Sequence, residues 1–271
     1  MNRRLTSLLT LLIFLTACAP ASLPAPTETA ALPREPTSSP KPPTATLPPT
    51  ATPAPTFTAI PKSNRTAAFT IVEKTVDSRP SQKDEYAPAS IGLAIPIGGQ
   101  ARTGEDGRAR LDLAPDGTIV RVAPNTIFTL PSLEEKDKSP FTLIELLFGQ
   151  LYIILSGGEL EVKTPSGVAA VRGSMMGVSS NPNDGTMTVT CLEGHCSLKN
   201  DSGLIELIAG QAADIRNKVL SSQPRNLTDA ELLNWVDNAP EVQNLLDHLP
   251  AIMDRISKLL KDRKNWKPPR P

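Results

Sequence analysis

The sequence predicts an all-β body, a solenoid-like stack or a sandwich of short strands, with a small C-terminal α-helical segment and a disordered Pro/Thr-rich linker in front. Three observations carry this reading. Polar and apolar residues alternate with period two through the middle of the chain. Turn-forming clusters recur at intervals of roughly ten residues, a spacing that leaves room only for strands. After Arg225 the pattern changes to helix-starting signals. The balance of 28 Lys+Arg against 28 Asp+Glu gives no basic excess, so nucleic acid is not expected as a partner.

Taken in order, residues 1–18 read as a secretory signal: Arg3 and Arg4 form a positive start, and Leu8 to Phe14 an apolar run. That run is shorter than the about 20 residues needed to span a bilayer. Residues 19–65 are rich in Pro, Thr, Ala and Ser and nearly devoid of large apolar side chains. Such a segment buries too little surface to offset its ordering entropy. Proline biases it towards extended polyproline II, at roughly 3.1 Å per residue, so it works as a spacer on the order of 100 Å long. Almost half of the 28 prolines lie there.

The body is expected over residues 66–220. Arg108 to Leu113 and Leu160 to Thr164 alternate strictly. Turn signals stand at Glu105-Asp106-Gly107, Pro115-Asp116-Gly117, Gly157-Gly158, Asn183-Asp184-Gly185, Glu193-Gly194 and Asp201-Ser202-Gly203. The apolar stretch Phe141 to Leu155 fits one helix or two strands broken at Gly149-Gln150; Tyr152-Ile153-Ile154 favours strands. Residues 221–271 form the helical segment and tail. Thr228-Asp229-Ala230-Glu231 is a capping box, and Pro240 and Pro250 sit where first-turn prolines open helices. The expected helices are 228–238, 240–248 and 250–264, the last with Ile252, Ile256, Leu259 and Leu260 on one face.

Chemistry-bearing motifs are scarce. A nucleophilic triad would need His195 or His248 as base, and neither accompanies a Gly-x-Ser-x-Gly motif. Calcium-loop and Walker patterns are absent from the sequence. No catalytic residue, cofactor or metal is therefore expected, and the chain is not expected to be an enzyme. Cys191 and Cys196 form an even pair for an oxidising compartment. With Glu193-Gly194 as a two-residue hairpin turn they would face each other across two strands, about 4.5 Å apart at Cα, inside the disulfide window. A redox pair and a zinc site with His195 are the competing readings; the first lacks Cys-x-x-Cys spacing and the second is one ligand short.

Two resemblances add to this. Leu15-Thr16-Ala17-Cys18 resembles the lipobox of bacterial lipoproteins. The resemblance implies cleavage before Cys18, lipidation of that residue, and a chain held by its lipid on the extracytoplasmic face of the cell membrane. The body resembles the FecR-like extracytoplasmic domain, with matching residues across most of 92–215. Gly98 to Gly104, Pro115-Asp116-Gly117-Thr118 and Pro124-Asn125-Thr126 resemble its opening. Its most specific stretch runs from Val162-Lys163-Thr164-Pro165 through Ala170-Val171-Arg172-Gly173-Ser174, similar to the family's V-x-T-P and V-R-G-T elements with Ser174 in place of Thr. Val189 to Gly194, including Glu193 and Gly194, and Ala209-Gly210-Gln211 complete the series. The resemblance implies an all-β fold. The family's namesakes carry signals to a sigma factor through a membrane helix that this sequence replaces with a lipobox and spacer, so the fold is carried over and the signalling mechanism is not. The glycines read as turns or close approaches, and Pro165 as a strand end. Arg172 reads as a structural anchor on a carboxylate or carbonyl row, with an anion-binding groove as the alternative. The functional expectation is a lipid-anchored binding, sensing or scaffold module with an envelope protein or a polysaccharide as partner; an accessory role in envelope signalling is the runner-up, and an envelope hydrolase the remotest.

Overall fold

The structure, a computed structural model, describes residues 64–245 and 249–265. The signal segment, Cys18, the linker up to residue 63, His248 and Trp266 lie outside the described residues. The body opens with β1 (Thr66–Glu73), β2 (Val76–Arg79), β3 (Ala87–Pro88), β4 (Ala94–Ile95), β5 (Gln100–Thr103), β6 (Arg108–Ala114) and β7 (Thr118–Val122). Then come β8 (Ile127–Lys136), β9 (Ser139–Ile154), β10 (Glu159–Lys163), β11 (Val168–Asn181), β12 (Thr186–Asn200), β13 (Gly203–Ile208), β14 (Gln211–Arg216), β15 (Val219–Leu220) and β16 (Arg225–Asn226). The helices are α1 (Asp229–Asn238), α2 (Val242–Leu245) and α3 (Pro250–Asn265).

Hydrogen bonding links these strands into one sheet that is bent into two leaves. The first leaf runs β3–β2–β5–β8–β9–β10–β11–β12–β13. The second runs β4–β1–β6–β7–β9–β11–β12–β14–β15, with β16 also on β14. Strands β9, β11 and β12 belong to both leaves. Each bends where its partner changes: β9 pairs with β8 up to Phe148 and with β11 from Gly149, and β11 and β12 shift register between Arg172 and Met176. Strands that turn a corner through bulges in this way are one established route to a two-layered sheet.

Three of the strands are therefore long, 14 to 16 residues, where short ones were expected. The reason is that a bulge and a turn use the same residues. Gly149 is an expected strand break, yet β9 passes through it with φ of 97°; a side chain there would lie 2.4 Å from Thr126 Oγ1 and 2.5 Å from the Asn125 carbonyl. Both expected architectures, sandwich and solenoid-like stack, have a counterpart in the strand pairing. The leaves form a sandwich, and β9 followed by β10 makes one solenoid-like coil. β10 lies parallel to the first half of β9, a pairing that normally needs a crossover of a dozen residues. The bent second half of β9 is that crossover.

Inward side chains of the two leaves merge into one core. It includes Leu146, Leu160, Val162 and Leu198 from the first leaf and Phe69, Val120, Ile153, Met176 and Val189 from the second. A second apolar cluster lies on the outer face of the second leaf, where Tyr152, Ile154, Met175, Leu192 and Ala212 meet Leu232, Trp235, Val236 and Ile256 of the helices. Alternation along β9 shows the division: Leu151 and Ile153 enter the first cluster, Tyr152 and Ile154 the second.

The helices are docked by matched polar contacts as well. Trp235 is fully buried, donates from Nε1 to Thr190 Oγ1 at 3.0 Å and meets the Tyr152 ring edge-on at 4.9 Å. Burial pushes the Tyr152 hydroxyl well above its ordinary value. Glu241 takes hydrogen bonds from Arg121 of β7 and, at 3.0 Å, from Arg110 of β6. Arg225 pairs with Asp214 of β14 at 2.8 Å and with Glu231 of α1 at 2.7 Å. Burial is the largest single influence on Asp214, Glu231 and Glu241 and opposes their charged forms, but the arginine hydrogen bonds and charges, joined by Thr188 at Asp214, Thr228 at Glu231 and a backbone amide at Glu241, together outweigh it, and all three carboxyls titrate below their usual range.

The capping box forms as expected, with the Thr228 hydroxyl accepting from the Glu231 amide and the Glu231 carboxylate accepting from the Thr228 amide. Pro250 opens α3. The helix expected over 240–248 is observed only as Val242–Leu245; 246–248 lie outside the described residues. The linker boundary also moves. Arg65, assigned to the linker, is buried in the body, with Nε and Nη2 on the two oxygens of Asp116 at 2.9 and 3.0 Å and Nη1 on the carbonyls of Glu134 and Phe141.

Candidate functional site

The residues singled out from the sequence converge on the corner where β11 and β12 pass between leaves. Thr164 and Pro165 make the turn from β10 to β11. The Thr164 hydroxyl accepts from the amides of Ser166 and Gly167, and Pro165 stands two positions beyond Lys163, the last residue of β10. Val171 is buried in the main core, which fixes the phase of β11 and turns Arg172 outward. Gly173 then adopts φ of 61° with open space around it, so backbone conformation rather than packing requires glycine there.

On β12, Glu193-Gly194 does not form the expected hairpin turn. β12 continues through it, with Gly194 at φ of 73° and register shifts against β11 on either side. The disulfide is present, Cys191 to Cys196, with Cα atoms 5.8 Å apart. It joins two points of one strand instead of two strands of a hairpin. Side chains five positions apart in a regular strand point to opposite faces. The bulge inserts a residue, so both cysteines face the main core, where they are 0% and 2% exposed. Leu192, between them, points instead into the cluster under the helices. Gly210, at φ of 83°, donates its amide to the Cys191 carbonyl and accepts from the Leu227 amide, tying the corner to the segment before α1.

Arg172 makes a carboxylate contact of the kind expected of an anchor, in an exposed setting. It donates to both oxygens of Glu159 at 3.2 Å across the β10–β11 pair, and its side chain is 76% exposed. Around it lies the outer face of the first leaf over β10–β13, a shallow concavity of about 320 Å³. Ala170 and Ser197 form its low floor, with Glu159, Glu161, Arg172, His195, Lys199 and Glu206 around them. Leu204 and Ile208 of the edge strand β13 are 57% and 54% exposed. His195 points outward and Cys196 inward, as alternation requires. The helices cover the outer face of the second leaf; this face of the first leaf carries the motif residues and mixed charge. Three further arginine anchors, Arg65, Arg121 and Arg225, escaped sequence reasoning: the carboxylate partners of the first two lie 51 and 120 residues away, and those of Arg225, 11 and 6 residues away, sit across a change from strand to helix. The one available signal was Arg121, a charge amid the strand residues Val120 and Val122.

Among the described residues, no group of three His, Cys, Asp or Glu side chains is placed to hold a metal ion, and no helix is long and apolar enough to cross a membrane. With that geometry established, comparison with known proteins gives one family match: residues 99–197 match the FecR protein family. The matched stretch runs from the residue before β5 into β12 and contains Thr164, Pro165, Val171, Arg172, Gly173, Glu193 and Gly194; Gly210 lies beyond it. Among solved structures, two crystal structures of a proposed anti-sigma factor from Parabacteroides distasonis, at 1.65 and 2.50 Å resolution, are similar at 18% identity and a TM-score of 0.43. Each aligns with 51% of this chain, and the alignments span 64% and 63% of those chains. No curated protein gives a significant match.

Proposed function

We infer that this protein is a non-catalytic binding module of the cell envelope, built on a FecR-like core, held at the extracytoplasmic face of the membrane by a lipid on Cys18 and docking an envelope protein through the outer face of β10–β13. The observation that carries the docking surface is the asymmetry of the two leaves. The second leaf's outer face is sealed by the helices through a largely apolar cluster. The first leaf presents the motif arginine, a small-residue floor and an edge strand with exposed Leu204 and Ile208. An interface of this kind draws its energy from apolar contacts at the centre and its orientation from charges at the rim. The lipid on Cys18 rests on the lipobox resemblance, and the FecR match over 99–197 supports a regulatory rather than a catalytic role. The accessory role in envelope signalling is the same reading with a membrane regulator as the docked protein.

Affinity capture tests it. Full-length protein bearing Ser197→Glu and Arg172→Glu, which add negative charge to this face, is compared with the wild type on solubilised envelope. The reading expects a discrete protein retained by the wild type and reduced at least tenfold by the variant. Equal retention by both would remove the docking face from the account.

A further inference from the structure

A second concavity lies at the Gly149 corner, away from the motif residues. It measures about 470 Å³, a size typical of small-molecule sites. Arg108 of β6, Asn125 of the β7–β8 turn, Phe148 to Gln150 of β9, Ser179 to Asn181 of β11 and Asn234, Asp237 and Asn238 of α1 contribute to its walls. It adjoins the hollow under α1, since Gln150, Ser179 and Asn234 line both.

The cleft has a feature that packing does not explain. Four buried side-chain polar atoms among the described residues lack a hydrogen-bond partner: Arg108 Nε, Ser132 Oγ, Ser180 Oγ and Asn238 Oδ1. Three of those four residues line this one cleft. Ser180 is only 4% exposed. A buried polar atom without a partner is costly, and native structures hold few, usually met by water or ligand.

The chemistry of the three atoms restricts the occupant. Arg108 Nε only donates, Asn238 Oδ1 only accepts, and the Ser180 hydroxyl does both. A phosphate or carboxylate would want donors alone, and a metal ion acceptors alone. The only carboxylate in the lining, Asp237, is already engaged by Arg263, whose Nη1 lies 2.9 Å from both of its oxygens. With Asp237 engaged, Arg108 leaves the lining one positive charge, but the acceptor Asn238 Oδ1 and the two-way Ser180 hydroxyl make the set mixed, and a mixed set suits sugar hydroxyls, which donate and accept at once. Asn125 and Gln150 add amide groups to the lining, and Phe148 and Pro124 supply apolar surface for a ring's C–H face.

We propose that this cleft binds a neutral carbohydrate, one or two sugar rings, held by Arg108, Ser180 and Asn238. The site deepens the binding-module reading by giving it a small ligand in addition to its protein partner, and it is spatially separate from the docking face. The test is saturation-transfer NMR on full-length protein with maltose, cellobiose and N,N′-diacetylchitobiose, with inorganic phosphate as the anionic probe by calorimetry. At least one disaccharide is expected to bind, and both Asn238→Leu and Asn234→Trp, the latter at an exposed helix position, should weaken it at least tenfold. Absence of binding by all three disaccharides, binding that survives both variants, or a preference for phosphate would each overturn the proposal. Asn234→Trp should leave protein capture by the docking face intact, so failure here is distinguishable from failure of the binding-module reading.

Discussion

Replacing Trp235 with alanine should undock the helices from the second leaf without unfolding the first. Trp235 is 0% exposed and bridges the layers, packing on Tyr152 and donating to Thr190. A buried tryptophan removes on the order of 200 Å² from water, which at about 25 cal/mol per Å² is about 5 kcal/mol before relaxation. Large-to-alanine substitutions in cores cost about 3–5 kcal/mol. The lost hydrogen bond to Thr190 adds about 1 kcal/mol, softened because the Thr190 hydroxyl keeps a 3.4 Å contact with the Gly177 carbonyl. The expected loss is thus about 4 kcal/mol, read from the urea midpoint by circular dichroism. Amide hydrogen exchange supplies the spatial readout: protection should fall across α1, α3 and the β14 region while β8 and β10 keep theirs. A loss below about 1 kcal/mol, or a uniform fall in protection over both leaves, would refute the layered packing argument.

Other consequences follow from the polar contacts. Glu241→Gln should destabilise by about 2 kcal/mol, between exposed and fully buried ion-pair values, because it leaves Arg110 and Arg121 without their shared carboxylate; Arg121→Met with Glu241→Met should recover part of that loss in a chemical melt. The depressed carboxyls of Asp214, Glu231 and Glu241 bind protons more readily in the unfolded chain. Their stabilisation is therefore fully present above the ordinary carboxyl range, about pH 4 to 4.5, and is lost as pH falls through the lower folded values. Urea midpoints at pH 7, 4.5 and 3 should fall mainly over the last step, and a flat series would contradict it. Cys191→Ala with Cys196→Ala should cost about 2 kcal/mol, the figure for a very short closed loop, and intact-mass analysis of unreduced wild type should show no free thiol at either position. Arg65→Met should cost about 3–5 kcal/mol in the same melt, since it strands the buried Asp116 carboxylate.

Local signals were the legible ones. The capping box at Thr228 and Glu231, the Pro250 helix start, the hairpin turns at Asn183-Asp184-Gly185 and Asp201-Ser202-Gly203, and the inward-outward alternation of β6 and β10 all depend on residues close in sequence. Glu193-Gly194 shows where that ends. The same dipeptide serves a hairpin or a bulge, and the choice is made by β14 and β13, which pair with the two halves of β12. The Asp137-Lys138 and Asn217-Lys218 turns went unread because non-glycine residues hold the positive φ there, 50° and 64° in the first and 51° and 65° in the second. Arg65, Glu241 and the cleft at Gly149 are products of tertiary placement: their partners lie 51, 120 and more residues away, beyond any periodicity argument.

The central claim is that the motif-bearing face of the first leaf docks a protein. Site-specific photocrosslinking tests it most directly, with benzoylphenylalanine placed at Ser197 on that face or at Lys258 on the exposed side of α3, in full-length protein in its native envelope. The account predicts one discrete protein adduct from position 197 and none of that mass from 258. Adducts of the same mass from both positions, or none from 197, would contradict it.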